Sequence, residues 1–203
     1  MTTITAEQVK ALRVATGVGV MECRKALEQT GGDVEKAKEI LREKGLAQAA
    51  KRAEREASEG VLELYTHGNG RVGVMVEVNS ETDFVARSET FRTFAHEIAL
   101  QIAASAPKYI RMEDIPADEI EQEKASDRRR ALEDGKPESV VERIVEGRLA
   151  KYMDEVVLLR QPYIRDDSLT IEDLLHQNIA AIGENLVIRR FVRWEVGGST
   201  AAE

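Results

Sequence analysis

The 203-residue chain is 33% charged and 42% apolar, with a formal charge of −8 from 29 basic and 37 acidic residues. That composition belongs to a soluble globular protein and argues against nucleic acid as a partner, because a phosphate-tracking surface needs an excess of cations. A lone cysteine, Cys23, excludes an intrachain disulfide and fits a reducing compartment. No apolar run approaches membrane-spanning length, so no membrane association is expected. The N-terminus MTTITAEQVKALRVATGV has no apolar signal-peptide region and is too acidic for a transit peptide, which points to the cytoplasm.

Residues 1–46 read as three short helices. Thr5-Ala-Glu-Gln8 has the form of a capping box, in which Thr5 satisfies an orphan amide and Gln8 reaches back. Val9, Leu12 and Ala15 then share a face, and Gly17 and Gly19 break the helix. Met21, Ala26 and Leu27 mark a second helix that stops at Gly31-Gly32. Asp33 is placed to cap a third, with Val34, Ala37, Ile40 and Leu41 as its stripe and Gly45 as its stop. A bundle this small buries few side chains, and such modules usually bind something. Residues 47–59 read as a charged, solvated connector helix ended by Gly60.

Residues 60–79 change to period two. VLELYTH and RVGVMVEVN flank His67-Gly68-Asn69-Gly70, a turn of residues that tolerate positive φ. Val72, Val74, Val76 and Val78 line one face of this β-hairpin. Ser88 opens a helix whose Phe91, Phe94, Ala95, Ile98 and Ile102 pack on the sheet, and Pro107 limits it. Residues 111–153 read as a projecting helical hairpin divided at Asp134-Gly135-Lys136-Pro137. VVLLRQPYI reads as a strand, and LTIEDLLHQNIAAIG as a helix with a glycine stop. NLVIRRFVRWEV reads as a strand with Leu186, Ile188, Val192 and Trp194 on one face and Arg189 and Arg193 on the other. Residues 198–203 read as a flexible tail. Strands and helices mix after residue 60 without βαβ alternation, so residues 60–197 form an α+β core with an antiparallel sheet.

The constellations that would carry chemistry fail on inspection. His96-Glu97 begins like a zinc-protease helix, but Leu100 occupies the second ligand position. His67, His96 and His176 lie too far apart in sequence to suggest a metal site. Gly135-Lys136 is followed by Pro137 where a phosphate loop needs Ser or Thr. Gly17-Val-Gly19 lacks the preceding strand of a dinucleotide site. Cys23 reads as a buried, inert thiol. No catalytic residue, metal or cofactor is assigned, and the chain is not expected to perform covalent chemistry.

One stretch resists a bland reading. In VNSETDFVARSETF an acid and an aromatic, Asp83 and Phe84, sit side by side in a connector that should be solvated. Phe84 is either a core anchor with Asp83 capping a turn, or a ring left outside for a partner.

TGVGVMECRKALEQTGGDVEKAKEILREKG, GRVGVMVEVNSETDFVAR, GKPESVVERIVEGRLAKY, VVLLRQPYI and IGENLVIRRFVRWEVG occur in the order found in the translation elongation factor Ts family. The chain resembles that family over roughly residues 4–197. The resemblance implies a guanine-nucleotide exchange factor for elongation factor Tu, with a three-helix module like a ubiquitin-associated domain ahead of the core. It implies that Thr82, Asp83, Phe84 and Val85 insert near the partner's magnesium site and switch region. Arg13, Val20 and Met21 of the module, and His67 in the hairpin turn, match further partner contacts. Gly-Val-Gly-Val-Met replaces the family's usual Gly-Ala-Gly-Met-Met, and Ser80 replaces a commoner cysteine. No second copy of the core sequence follows, which implies a short form that pairs with itself as a homodimer. From another class, the alternative is a dimeric adaptor that binds through the three-helix module without exchanging nucleotide.

Overall fold

The computed structural model describes residues 4–198. Of these, the residues up to Leu100 and from Glu172 onward form one compact unit, and Gln101–Ile171 forms a second. The expected tail at 199–203 lies outside the described residues.

The first unit opens with α1 (Ala6–Thr16), α2 (Val20–Gln29) and α3 (Val34–Arg52). Their boundaries follow from the sequence. Thr5 and Gln8 exchange both bonds of the capping box, Gly17 closes α1 in the left-handed region at φ 66°, and Asp33 accepts the Lys36 amide. Val9, Leu12, Cys23, Ala26, Leu27, Ala37 and Leu41 make the buried core of the bundle.

Gly45 does not stop α3. The helix runs through it to Arg52, so residues 47–52 continue α3 and the expected separate connector is absent. The backbone at Gly45 stays helical, and α8 (Ile171–Ile182) packs alongside it, where a Cβ would make ordinary contacts of 3.8 Å with the Ala180 Cβ and the His176 carbonyl. Tertiary packing against α8 offsets the helix penalty of glycine, about 1 kcal/mol. Arg42 reinforces the contact with a forked ion pair to Asp173 at 2.9 and 3.3 Å.

The sheet is antiparallel, in the order β1 (Glu59–His67), β2 (Val72–Ser80), β5 (Val187–Glu195). Gly60 lies inside β1 rather than at a helix end, because a Cβ there would fall 2.2 Å from the Val78 carbonyl oxygen. Val74, Val76 and Val78 are buried, as their alternation predicts. The helix α5 (Glu89–Ser105) covers this inner face with Phe91, Phe94, Ala95 and Ile98 buried, and His96 Nδ1 lies 2.8 Å from Glu63 Oε1 on β1. On β5 the expected face breaks in the middle. Glu77 pairs with Arg190 but Val78 pairs with Ile188, so Arg189 is an extra residue in a β-bulge. The bulge inverts the alternation: Leu186 and Ile188 are buried, whereas Val192 and Trp194 stand on the outer face, 43% and 78% exposed.

The second unit holds α6 (Ala117–Glu133) and α7 (Glu138–Val156), joined at Asp134–Pro137 as the sequence predicts. Ala131, Val141 and Val145 form their buried seam. VVLLRQPYI is not a strand. Val156 ends α7, Val157 makes an isolated parallel bridge with Tyr109, Leu158–Arg160 is one turn of 3₁₀ helix, and Pro162–Tyr163 (β3) pairs with Asp166–Thr170 (β4). Val157 and Leu158 are both fully buried, so a contiguous apolar run here reflects burial all round rather than a strand.

Candidate functional site

The stretch after β2 builds its own pedestal. Ser80 is buried and donates to the Thr82 carbonyl at 3.0 Å. Thr82, in an extended conformation, caps a single helical turn, α4 (Asp83–Ala86), by accepting the Val85 amide at 3.3 Å. Ser88 then caps α5 by accepting the Phe91 amide. The capping residue is therefore Thr82, and Asp83 is the first residue inside the turn.

One turn advances about 100° per residue, so four consecutive side chains cannot share a face. Val85 and Ala86 are buried and hold the turn to the core. Phe84 points away from it and is 83% exposed. It is not a core anchor. Asp83 is exposed beside it and forms a 2.8 Å ion pair with Arg87, one turn on. An exposed carboxylate and an exposed phenyl ring thus stand together on a turn fixed from below.

The turn is also fixed from the side. Glu184, in the connector between α8 and β5, accepts the Glu81 and Thr82 amides through Oε2, both at 3.1 Å. Its Oε1 accepts the Thr82 hydroxyl at 2.7 Å. Sequence reading did not single out Glu184. Its one signal is an acid directly after the helix-ending Gly183, inside the IGEN stretch.

A second set of predicted residues meets in the helical bundle. Arg13, Val20 and Met21 line one groove of about 320 Å³ with Ile4, Val9 and Lys10. Its floor is apolar and its rim basic, and Val20 and Met21 are 46% and 63% exposed. Thr82–Val85 and His67 lie outside this groove. His67 is exposed at the end of β1, with Nδ1 3.0 Å from the Tyr65 hydroxyl. Tyr65 also meets His96 edge-on at 5.7 Å, so two histidines that are distant in sequence flank one tyrosine. Among the described residues no three His, Cys, Asp or Glu side chains gather as metal ligands. A cavity of about 390 Å³ between α6 and α7 is lined by acids and bases such as Asp127 and Arg148, which pair at 3.4 Å. Acids outnumber bases in its lining, and Arg148 is already engaged by Asp127 and Asp134.

The sequence profile described as elongation factor TS matches residues 20–198. An elongation factor Ts from Coprothermobacter proteolyticus is 57% identical over 96% of this chain and 98% of its own length. Another from Carboxydothermus hydrogenoformans is 57% identical over 98% of this chain and 91% of its own. A third, from Caldanaerobacter subterraneus subsp. tengcongensis, is 58% identical over 96% and 97%. With likeness at this level over nearly the whole length of each protein, the chain belongs to the elongation factor Ts family.

Proposed function

We propose that this chain is a cytoplasmic guanine-nucleotide exchange factor that binds elongation factor Tu and promotes GDP release during translation elongation. In this reading the Thr82–Val85 turn enters the partner near its magnesium site and switch region. The observation that carries it is Phe84, a large apolar ring held 83% exposed on a capped turn. A ring so placed has no work to do inside its own chain.

Exchange demands tighter binding to the nucleotide-free partner than to the loaded one, since equal binding shifts nothing. Four decades of acceleration correspond to about 5–6 kcal/mol. Burying one phenylalanine supplies about 1.5–3 kcal/mol. Phe84 therefore acts with others. Asp83 competes for hydrogen bonds around the partner's cation, where charge density is greatest. The bundle, which we read as like a ubiquitin-associated domain, grips through Arg13, Val20 and Met21, and His67 adds a contact from the hairpin. None of this requires covalent chemistry, a cofactor or nucleic acid.

Stopped-flow release of a fluorescent guanine nucleotide tests the reading. Phe84→Ala should slow catalysed release by roughly 10- to 100-fold without changing the melting temperature. An unchanged rate would favour the adaptor, which binds without altering nucleotide kinetics.

We also infer that two copies pair through the outer face of the sheet. Leu62, Leu64, Met75, Val192 and Trp194 are all more than 40% exposed there. Register places them on one surface: Leu64 opposite Met75, and Met75 opposite Val192. A patch presented identically by two chains suits a twofold contact, and the chain carries a single core module.

A further inference from the structure

The acid in the connector between α8 and β5 has no part in the exchange reading so far, yet its geometry is that of a built clamp. Beyond Ser80 the Glu81 and Thr82 amides have left the β-ladder and need new acceptors. A single carboxylate, that of Glu184, takes both, and takes the Thr82 hydroxyl as well. The Thr82 oxygen that donates to Glu184 is the same atom that caps α4 by accepting from Val85. The bond to Glu184 directs the hydroxyl proton away from the turn, leaving lone pairs free for the Val85 amide. Capping and clamping are therefore one chain of hydrogen bonds.

The clasp is reciprocal. Glu81 Oε1 accepts the Asn185 amide at 2.6 Å, so each segment lends a carboxylate to the backbone of the other. Asn185 is buried and its side chain donates to the Arg55 carbonyl at 2.8 Å, tying in the segment after α3. Bonds to an ionised acceptor are shorter and stronger than neutral ones. The 2.6 and 2.7 Å distances fall in that class.

We propose that Glu184 is a positioning residue for exchange: it touches no partner itself but holds the Thr82 cap, and through it the outward direction of Phe84. The proposal rests on the exchange reading of the turn. It adds a residue about 100 positions away in sequence that sets how effective the turn is.

The test uses the full chain with Glu184→Ala, Glu184→Gln and Phe84→Ala. Glu184→Ala should lower the plateau rate of nucleotide release about tenfold. The concentration giving half of that plateau should stay within about twofold, because the bundle groove still grips. Hydrogen exchange at the Glu81 and Thr82 amides should accelerate at least tenfold. Glu184→Gln keeps one acceptor oxygen for the Glu81 and Thr82 amides but turns an NH2 toward the Thr82 oxygen, so it should recover part of the plateau rate and of the amide protection. Adding Glu184→Ala to Phe84→Ala should cost little more than Phe84→Ala alone, since the clamp acts through the ring. An unchanged plateau in Glu184→Ala, or Gln as damaging as Ala, overturns the proposal. The second outcome would mean that charge rather than placement matters. If Phe84→Ala exchanges at the parent rate, the exchange reading itself falls, and amide protection at Glu81 and Thr82 still decides whether the clamp exists.

Discussion

At the Thr82 hydroxyl two jobs meet. The oxygen accepts from Val85 to start a turn and donates to Glu184 to hold that turn in place. A phenylalanine two positions on is thereby kept in water, where it has nothing to gain until a second surface covers it. Met21 shares this property in the bundle groove, at 63% exposure, but its part differs in the proposed complex. It grips rather than pries. Met21→Ala should therefore raise the half-saturating concentration by the equivalent of about 1–2 kcal/mol and leave the plateau rate nearly intact. Phe84→Ala should do the reverse, and titrating each variant against a fixed amount of nucleotide-loaded partner separates the two. Phe84 stands out in the sequence as an aromatic beside an acid in a connector, but the residues alone allow a core anchor as well, and the fold decides by leaving the ring 83% exposed. Glu184 does not stand out, because only the folded chain brings it to Thr82.

Among the elements, the base of the α6–α7 pair is set by one carboxylate. Tyr109 and Tyr152 both donate to Glu119, and Lys108 Nζ lies 3.4 Å from it and 5.6 Å from the Tyr152 ring. The Tyr109 hydroxyl, then that of Tyr152, holds the Glu119 carboxyl below its usual value of 4.5. A depressed carboxyl contributes stability that is complete above 4.5 and lost as pH falls through the lower folded value. The bond to Glu119 pushes Tyr109 up to about 12, so its contribution is complete below 10.0 and lost as pH rises through about 12. Burial first, then Glu119, raises Tyr152 in the same direction. Glu119→Gln should lower mid-pH stability by about 1–3 kcal/mol. The difference between parent and variant should shrink below pH 4.5; a difference independent of pH would show that Glu119 contributes nothing through its charge.

Elements were legible where a local rule sufficed and illegible where a distant neighbour decided. The capping box, the Gly17 stop and the Gly68–Gly70 turn all follow from residues within a few positions of one another. Gly45 carries the same punctuation as Gly17, but α8 approaches it and the helix continues. The β5 pattern fails at Arg189 because nothing in an alternating sequence marks where one extra residue is inserted. That side chain instead reaches the Asn79 side chain at 3.2 Å and the Ala57 carbonyl at 3.3 Å.

For the molecule as a whole, the bulge decides which surface is sticky. It turns Val192 and Trp194 outward to join Leu62, Leu64 and Met75. Trp194 is the sole tryptophan, so its emission reports on this face alone. On raising protein concentration the emission should shift to shorter wavelength as the indole leaves water. Trp194→Glu should weaken self-association about 100-fold, or roughly 3 kcal/mol, by sedimentation. A dimer whose tryptophan emission stays unchanged would place the contact elsewhere.

The uninterrupted α3 has a last consequence. Its 19 residues span about 28 Å, with one end in the bundle that forms the groove and, three residues past the other, an Arg55 carbonyl that Asn185 bonds beside the clasp. In the proposed complex, grip and wedge would stand at opposite ends of one helix and its short C-terminal extension. On that reading, selectivity would come from gauge: one residue added to the helix should swing the groove by about 100° relative to Phe84 and abolish exchange while each surface stays folded.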